Sequence, residues 1–505
     1  MLGDVSRNGM MVESKDLLRF ESILNQLYDL AQRSGISELE KRGYKQSDFE
    51  SNPSIRREFL RACHYGYDVA QRKIAKLVID MELEIARLTA EMKDYRRKKD
   101  GKEKEVFQLI RMIRNRQKVL RRIVDSILFT MIQQQNWLLR RFTIDLKIHA
   151  IDPEVLNRTV QIAVDRNRED RMKFNLVSDL STVVQIGDLI EIDASVRGGG
   201  KWKVIELKQG KMNELISGIL GLKSSSADAV VAVKTSLGEK AEKQAHRMIR
   251  QVRRVGELER IVETDRGFDP SNDVETLMTK DTLVLDNYHD EMMKLYESAN
   301  VKGAAALEVS GCLRIFAIPQ DKAGQRTGEV AAHQFFHAAN KDLSCAFRGA
   351  GDPASQAEEK KMLKSVPYFV DIVDYNLNVP MADPIFAWPN RRMVIDLVVG
   401  RMRMFVQFDI DAFIRLAEGE GVKLRWIKGK EADKLKKFSM RIPGSDDAWG
   451  ILAEFPDGTH ATFLAGFLAR PYMNCTTPRQ MIEMIKDWPK QFAKSDPENA
   501  LISPI

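Results

Sequence analysis

Two carboxylates on neighbouring strands, with an ammonium close by, are enough to hold a divalent ion and turn a bound water on a phosphodiester. Residues 187–211, GDLIEIDASVRGGGKWKVIELKQGK, carry these residue types around a run of three glycines: Asp188, Glu191 and Asp193 before it, Glu206 and Lys208 after it. Both flanks alternate apolar and charged residues, the period-two signature of a half-buried hairpin.

An even turn centred on Gly198 and Gly199 sets Ile205 opposite Ile192 and Leu207 opposite Ile190. The other face then gathers Glu191, Asp193, Glu206 and Lys208. Three like charges on one face either stay hydrated or take up a cation. A hard ion such as Mg²⁺, or Mn²⁺ in its place, takes one or two carboxylates and keeps several waters, which suits Asp193 and Glu206 placed diagonally across the strands. Lys208 points the same way and would orient that water or offset developing charge. An odd turn would set Ile205 and Leu207 against the charged residues of the first strand, so the even register is preferred. The competing reading is a plain surface hairpin in which Glu191 and Asp193 balance Lys201, Lys203 and Lys208.

An Asp on one strand, a glycine-rich turn and VIELK on the next resembles the active-site hairpin of the PD-(D/E)XK nuclease superfamily, over residues 165 to 320 at most. The resemblance implies a restriction-endonuclease-like α/β domain hydrolysing phosphodiester bonds in nucleic acid, first of all DNA. Its members include restriction, repair and recombination enzymes, which would place the chain in prokaryotic or phage defence or in DNA processing. It further implies that Asp193 and Glu206 hold Mg²⁺, that Lys208 assists the water, and that a following helix supplies Gln244, with Arg247 three positions on. No proline precedes Asp193 or Asp188, and some 35 residues separate Lys208 from Gln244. Asp188 is the second candidate for the metal ligand, since Gly-Asp at a strand start also resembles the motif; in the even register it points away from Glu206 and would need a bulge to join it. Glu169 and Asp170 are candidates for an additional helix carboxylate.

Three segments must position these residues. Residues 1–148 read as a helical arm, with apolar residues at three-to-four spacing on both sides of a turn near Asp100 and Gly101, so a long antiparallel, coiled-coil-like hairpin is expected there. Between Lys93 and Arg122 this arm holds 13 Lys or Arg against 4 Asp or Glu, and Arg111, Arg114, Lys118 and Arg122 lie along one stripe, suited to backbone phosphates or to a solvated face. The arm is also a candidate for homo-oligomerisation. Residues 149–345 read as the nuclease-like α/β domain, with DAVVAVKTS and GCLRIFAIP as short strands and residues 238–263 as a long helix. That helix carries Gln244, Arg247, Arg250, Arg253 and Arg254, a cluster able to hold substrate backbone. Residues 361–505 read as a small C-terminal α/β domain, in which Arg391, Arg392, Arg425 and Lys428 are further phosphate candidates. The whole is an α/β multidomain chain, in keeping with 505 residues.

Composition narrows the class. With 44% hydrophobic and 30% charged residues, no apolar stretch of membrane length and no basic-then-apolar start, a cytoplasmic globular protein without membrane contact is expected. The net charge of +7 is compatible with a polyanionic partner. Four scattered cysteines argue against a disulfide framework or a zinc cluster. His333 and His337 sit one helical turn apart without a third ligand, and RGGGK lacks the phosphate-loop spacing.

Overall fold

The computed structural model describes residues 15–99, 101–135, 138–139, 142–143, 151–195, 201–207, 215–216, 218–219, 226–264, 266–269, 274–277, 286–320, 369–435 and 448–492. They form a mixed helix and sheet protein with small antiparallel sheets. The chain divides into two compact units, one of residues 27–278 and one of residues 1–26 with 279–505. The three segments read from the sequence are therefore drawn differently: the helical arm and the hairpin share one unit, and GCLRIFAIP belongs to the other. Helix α1 (Lys15–Tyr28) runs across the boundary.

In the first unit, α2 (Ser34–Lys41) and α3 (Gln46–Ser51) lead to α4 (Pro53–Lys98), a helix of 46 residues. Its start is set locally, with Pro53 in the first turn and the Asn52 side chain accepting from Ser54 N. It ends where Lys99 turns left-handed at φ 55°. After the tight turn, α5 (Glu103–Met131) returns antiparallel, as the apolar spacing requires. Ile85 and Leu88 interlock with Val106, Ile110 and Ile113, so the hairpin closes its apolar seam within the chain. From Val119 to Phe129 every residue of α5 is buried, which makes the end of this arm a core helix.

Helix α6 (Pro153–Glu169), capped by Asp152, then packs beside the antiparallel strands β1 (Lys173–Val177), β2 (Leu189–Asp193) and β3 (Lys201–Ile205). One face of this sheet is apolar: Phe174 and Leu176, Ile190 and Ile192, Trp202 and Val204. Phe174 meets Tyr67 of α4 edge-on at 5.6 Å, and Trp202 meets Phe142 edge-on at 5.6 Å. The outer edge of β1 has no strand beyond it among the described residues. The Gln71 side chain donates to Asn175 O (3.2 Å) and accepts from Val177 N (2.8 Å), and Asn167 Oδ1 accepts from Asn175 N (2.7 Å).

Helices α7 (Ser226–Leu237) and α8 (Glu239–Thr264) form a second hairpin, followed by the two-stranded ribbon of β4 (Arg266–Asp269) and β5 (Val274–Leu277). DAVVAVKTS, expected as a strand, is the body of α7. Its buried Val230 and Val233 stand at helical spacing against Ala241, Ala245 and Met248 of α8, and that packing overrides the β-branched composition.

In the second unit, α9 (His289–Lys302) lies against a four-stranded antiparallel sheet in the order β6 (Ala305–Val309), β7 (Leu313–Pro319), β9 (Met402–Phe408), β8 (Phe369–Asp371). Around it stand α10 (Ile372–Asn378), α11 (Arg391–Val398) and α12 (Ile410–Gly419). A three-stranded sheet of β10 (Lys423–Lys428), β11 (Ala448–Glu454) and β12 (His460–Leu464) and the helix α13 (Pro478–Phe492) complete it. Arg401 donates to both carboxylate oxygens of Glu21 on α1, at 2.7 and 2.6 Å, and to Asp396, which accepts from Tyr296. Among the described residues no helix is long and apolar enough to cross a membrane.

Candidate metal and nucleic-acid site

The register of the hairpin differs from the even turn expected. Leu189 faces Ile205, Glu191 faces Lys203, Ile192 faces Trp202 and Asp193 faces Lys201, with the odd-numbered stretch 194–200 between the strands. The reason is Trp202: it and Val204, rather than Ile205 and Leu207, supply the apolar partners of Ile190 and Ile192. The one-residue change moves Glu206 to the opposite face from Asp193.

Asp193 is therefore not brought beside Glu206 as expected. It stands opposite Lys201, five residues or about 17 Å along the strand from the Glu206 end. Its carboxylate is committed locally, accepting from Ser195 N at 2.9 Å and pairing with Lys173 at 3.7 Å. Partial burial opposes its ionisation, but the Ser195 hydrogen bonds and the Lys173 charge outweigh this and hold its pKa below the ordinary value. Glu191 is likewise taken, by Arg166 of α6 at 3.1 Å, and the same guanidinium reaches Asn175 Oδ1 at 3.2 Å. The acidic face read from the sequence is an ion-paired surface under a helix.

Asp188, at the head of β2, is the carboxylate beside the Glu206 end of β3. Gly187 holds φ at +65°, and a Cβ there would lie 2.3 Å from Val204 Cγ1, so only glycine lets β3 close on the head of β2. Asp188 N then donates to Ile205 O (2.8 Å), while its carbonyl accepts from Ser178 N (3.0 Å) on the other side. This kink is the irregularity that Asp188 needs in order to turn toward β3. Its carboxylate accepts from Leu207 N at 2.5 Å, inside the Glu206-Leu207-Lys208 segment. Glu206 is exposed here; Lys208 lies outside the described residues. Among the described residues no three His, Cys, Asp or Glu side chains cluster as a metal site. Two hard carboxylates completed by water fit the ligand demand of Mg²⁺ or Mn²⁺.

Residues missed in the sequence position Asp188. The loop between β1 and β2 is tied to α5 by Asp125, which accepts from Ser181 Oγ (2.5 Å), Thr182 N (2.9 Å) and Thr182 Oγ1 (2.5 Å) and pairs with Arg122 at 3.0 Å. Arg121 donates to Ser181 O at 2.6 Å. Both Arg122 and Asp125 are fully buried, so Arg122 is removed from the phosphate-binding stripe. The available signal was three charges, Arg121, Arg122 and Asp125, interrupting the apolar run from Val119 to Phe129.

Of the rest of that stripe, Arg111 and Arg114 are exposed and Lys118 is half-buried. Gln244 lies half-buried on α8, whose apolar side packs on α7, and Arg253 on the same helix is exposed. The side chains of Arg247, Arg250 and Arg254 fall outside the described residues, as do His333 and His337. Glu169 and Asp170 end α6, where Asp170 accepts from Met172 N at 2.9 Å. Arg425 is paired with Glu431 at 2.7 Å. Comparison with family models, curated proteins and solved structures returns no match to this chain.

Proposed function

We propose that the chain is a metal-dependent nuclease hydrolysing phosphodiester bonds in DNA, with its site at the head of the β2–β3 hairpin. The observation that carries this reading is the Asp188 carboxylate held against Leu207 N, between Glu206 and Lys208 in sequence. Asp188 and Glu206 would hold Mg²⁺ or Mn²⁺, which when bound supplies a Lewis acid and a water of lowered pKa. The Leu207 N–H fixes one oxygen of Asp188. Lys208, two residues beyond Glu206 in sequence, would offset charge on the phosphate. Gln244 enters through the superfamily resemblance alone.

The test is cleavage of linear, circular and single-stranded DNA and of RNA with Mg²⁺, Mn²⁺ or EDTA. Wild type should cut only with metal, Asp188→Asn, Glu206→Ala and Lys208→Ala should each lose activity at least about 100-fold, and Asp193→Asn should cut like wild type. Unchanged cutting by Asp188→Asn refutes the assignment. Binding that persists in Glu206→Ala, with no metal-dependent cleavage by wild type, would instead support a non-catalytic nucleic-acid-binding or scaffolding protein.

A further inference from the structure

We infer that the outer face of α4 between Arg57 and Lys76 is a track for single-stranded DNA leading to the candidate site, an inference that rests on the nuclease reading. At 3.6 residues per turn, Arg57, Arg61, Tyr65, Lys73 and Lys76 fall within about 160° of arc with Tyr65 at its middle, and they span about 29 Å of helix. All five are exposed, and Tyr65 is 65% exposed. The two acids on the same arc are already engaged: Glu58 pairs with Arg42 at 3.0 Å, and Asp68 pairs with Arg72 at 2.9 Å and accepts from Asn167.

The cations themselves are not so engaged. Among the described residues, Arg57, Arg61, Lys73 and Lys76 make no ion pair. Farther along the same hairpin Arg87 is paired with Glu84 and Glu91, Arg97 with Asp94 and Arg96 with Glu103, while Lys93, Lys98, Lys104, Arg111 and Arg114 make no ion pair among the described residues. What sets residues 57–76 apart is the 65% exposed Tyr65 in the middle of the cations. The stretch from 57 to 76 leaves four positive charges uncompensated around one exposed aromatic ring.

That combination is complementary to an unpaired strand. Cations follow the phosphates, while an exposed ring stacks on a base whose face is free, which a duplex does not present. The same helix carries the strand toward Asp188. On its inner side His64 meets Arg171 O at 3.1 Å and Gln71 bonds to Asn175 and Val177 of β1, and α4 also contacts residues 178–180. Ser178 in turn donates to Asp188 O. The Lys73 and Lys76 end of the track is thus at the level of the site.

The test is binding of a labelled single-stranded DNA oligonucleotide to the full chain by fluorescence anisotropy, in EDTA, across a series of salt concentrations. Removing four phosphate contacts with R57Q/R61Q/K73Q/K76Q should lower the slope of log K against log salt by about 3. Tyr65→Ala should weaken binding roughly 5- to 100-fold with the slope kept. The charge-preserving R57K/R61K/K73R/K76R should retain the wild-type slope, and Asp188→Asn should bind like wild type while failing to cut. Cutting by Asp188→Asn would defeat the nuclease reading, whereas the track fails on other results. A slope change below about 1 in the Gln variant, equal loss in the charge-preserving variant, or tighter binding of duplex with no effect of Tyr65→Ala overturns it.

Discussion

Replacing Asp125 by Ala tests the clamp between α5 and the loop that presents Asp188. The carboxylate is fully buried and satisfies Arg122, two hydroxyls and the Thr182 amide. Its removal breaks a fully buried ion pair, a change that costs about 3–5 kcal/mol. This is a large share of a typical stability of roughly 5–15 kcal/mol. For a unit of this size the midpoint of thermal unfolding should fall by roughly 10 °C. The cost comes mainly from a buried cation that has lost its carboxylate, so adding Arg122→Met to Asp125→Ala should recover at least about 1 kcal/mol. Urea unfolding followed by circular dichroism and by tryptophan fluorescence measures both variants. With the loop released, cleavage should fall more than oligonucleotide binding, because the proposed track on α4 is untouched. A loss below about 1 kcal/mol for Asp125→Ala, or strictly additive damage in the double variant, would refute the reasoning.

Gly187→Ala forces a Cβ to within 2.3 Å of Val204 Cγ1 at φ +65°, and should destabilise by about 1–3 kcal/mol and reduce cleavage, read by chemical unfolding and a single-turnover assay. Gln71→Leu leaves Asn175 O and Val177 N without their side-chain partner and should cost about 2–3 kcal/mol, with faster hydrogen exchange at Val177. Burial lowers the pKa of His289 from 6.5 to about 4, so the folded state favours the neutral ring. Its contribution is complete above pH about 6.5 and is lost as pH falls toward 4, roughly 3 kcal/mol in all. A thermal-unfolding profile against pH that His289→Gln does not flatten in that window would count against this.

The helical hairpin was legible because its signal is redundant: apolar residues recur over many turns, with a proline at one end and a glycine at the turn. The hairpin of β2 and β3 was legible as an element but not in register. Five residues on each strand offer two competing apolar pairings, and only the position of Phe142 beside Trp202 decides between them. That single choice moved the metal candidate from Asp193 to Asp188 while leaving Glu206 in place. Arg122 was misread for a related reason. Spacing puts a side chain on a stripe, but whether the stripe meets water or a buried Asp125 depends on contacts 60 residues away in sequence. The expected strand in DAVVAVKTS shows the limit of composition, since partners on α8 decided its conformation.

The amide groups of Gln71 and Asn167 occupy the places that a fourth strand would fill beside β1. A backbone edge so occupied offers no template to another extended chain, whether from a second molecule or from a misfolded copy. Among the described residues the other edge of this sheet is β3, where Lys201 and Lys203 stand exposed and repel a like strand. Two internal side chains thereby give a small sheet a defined end without the length of chain that another strand would require.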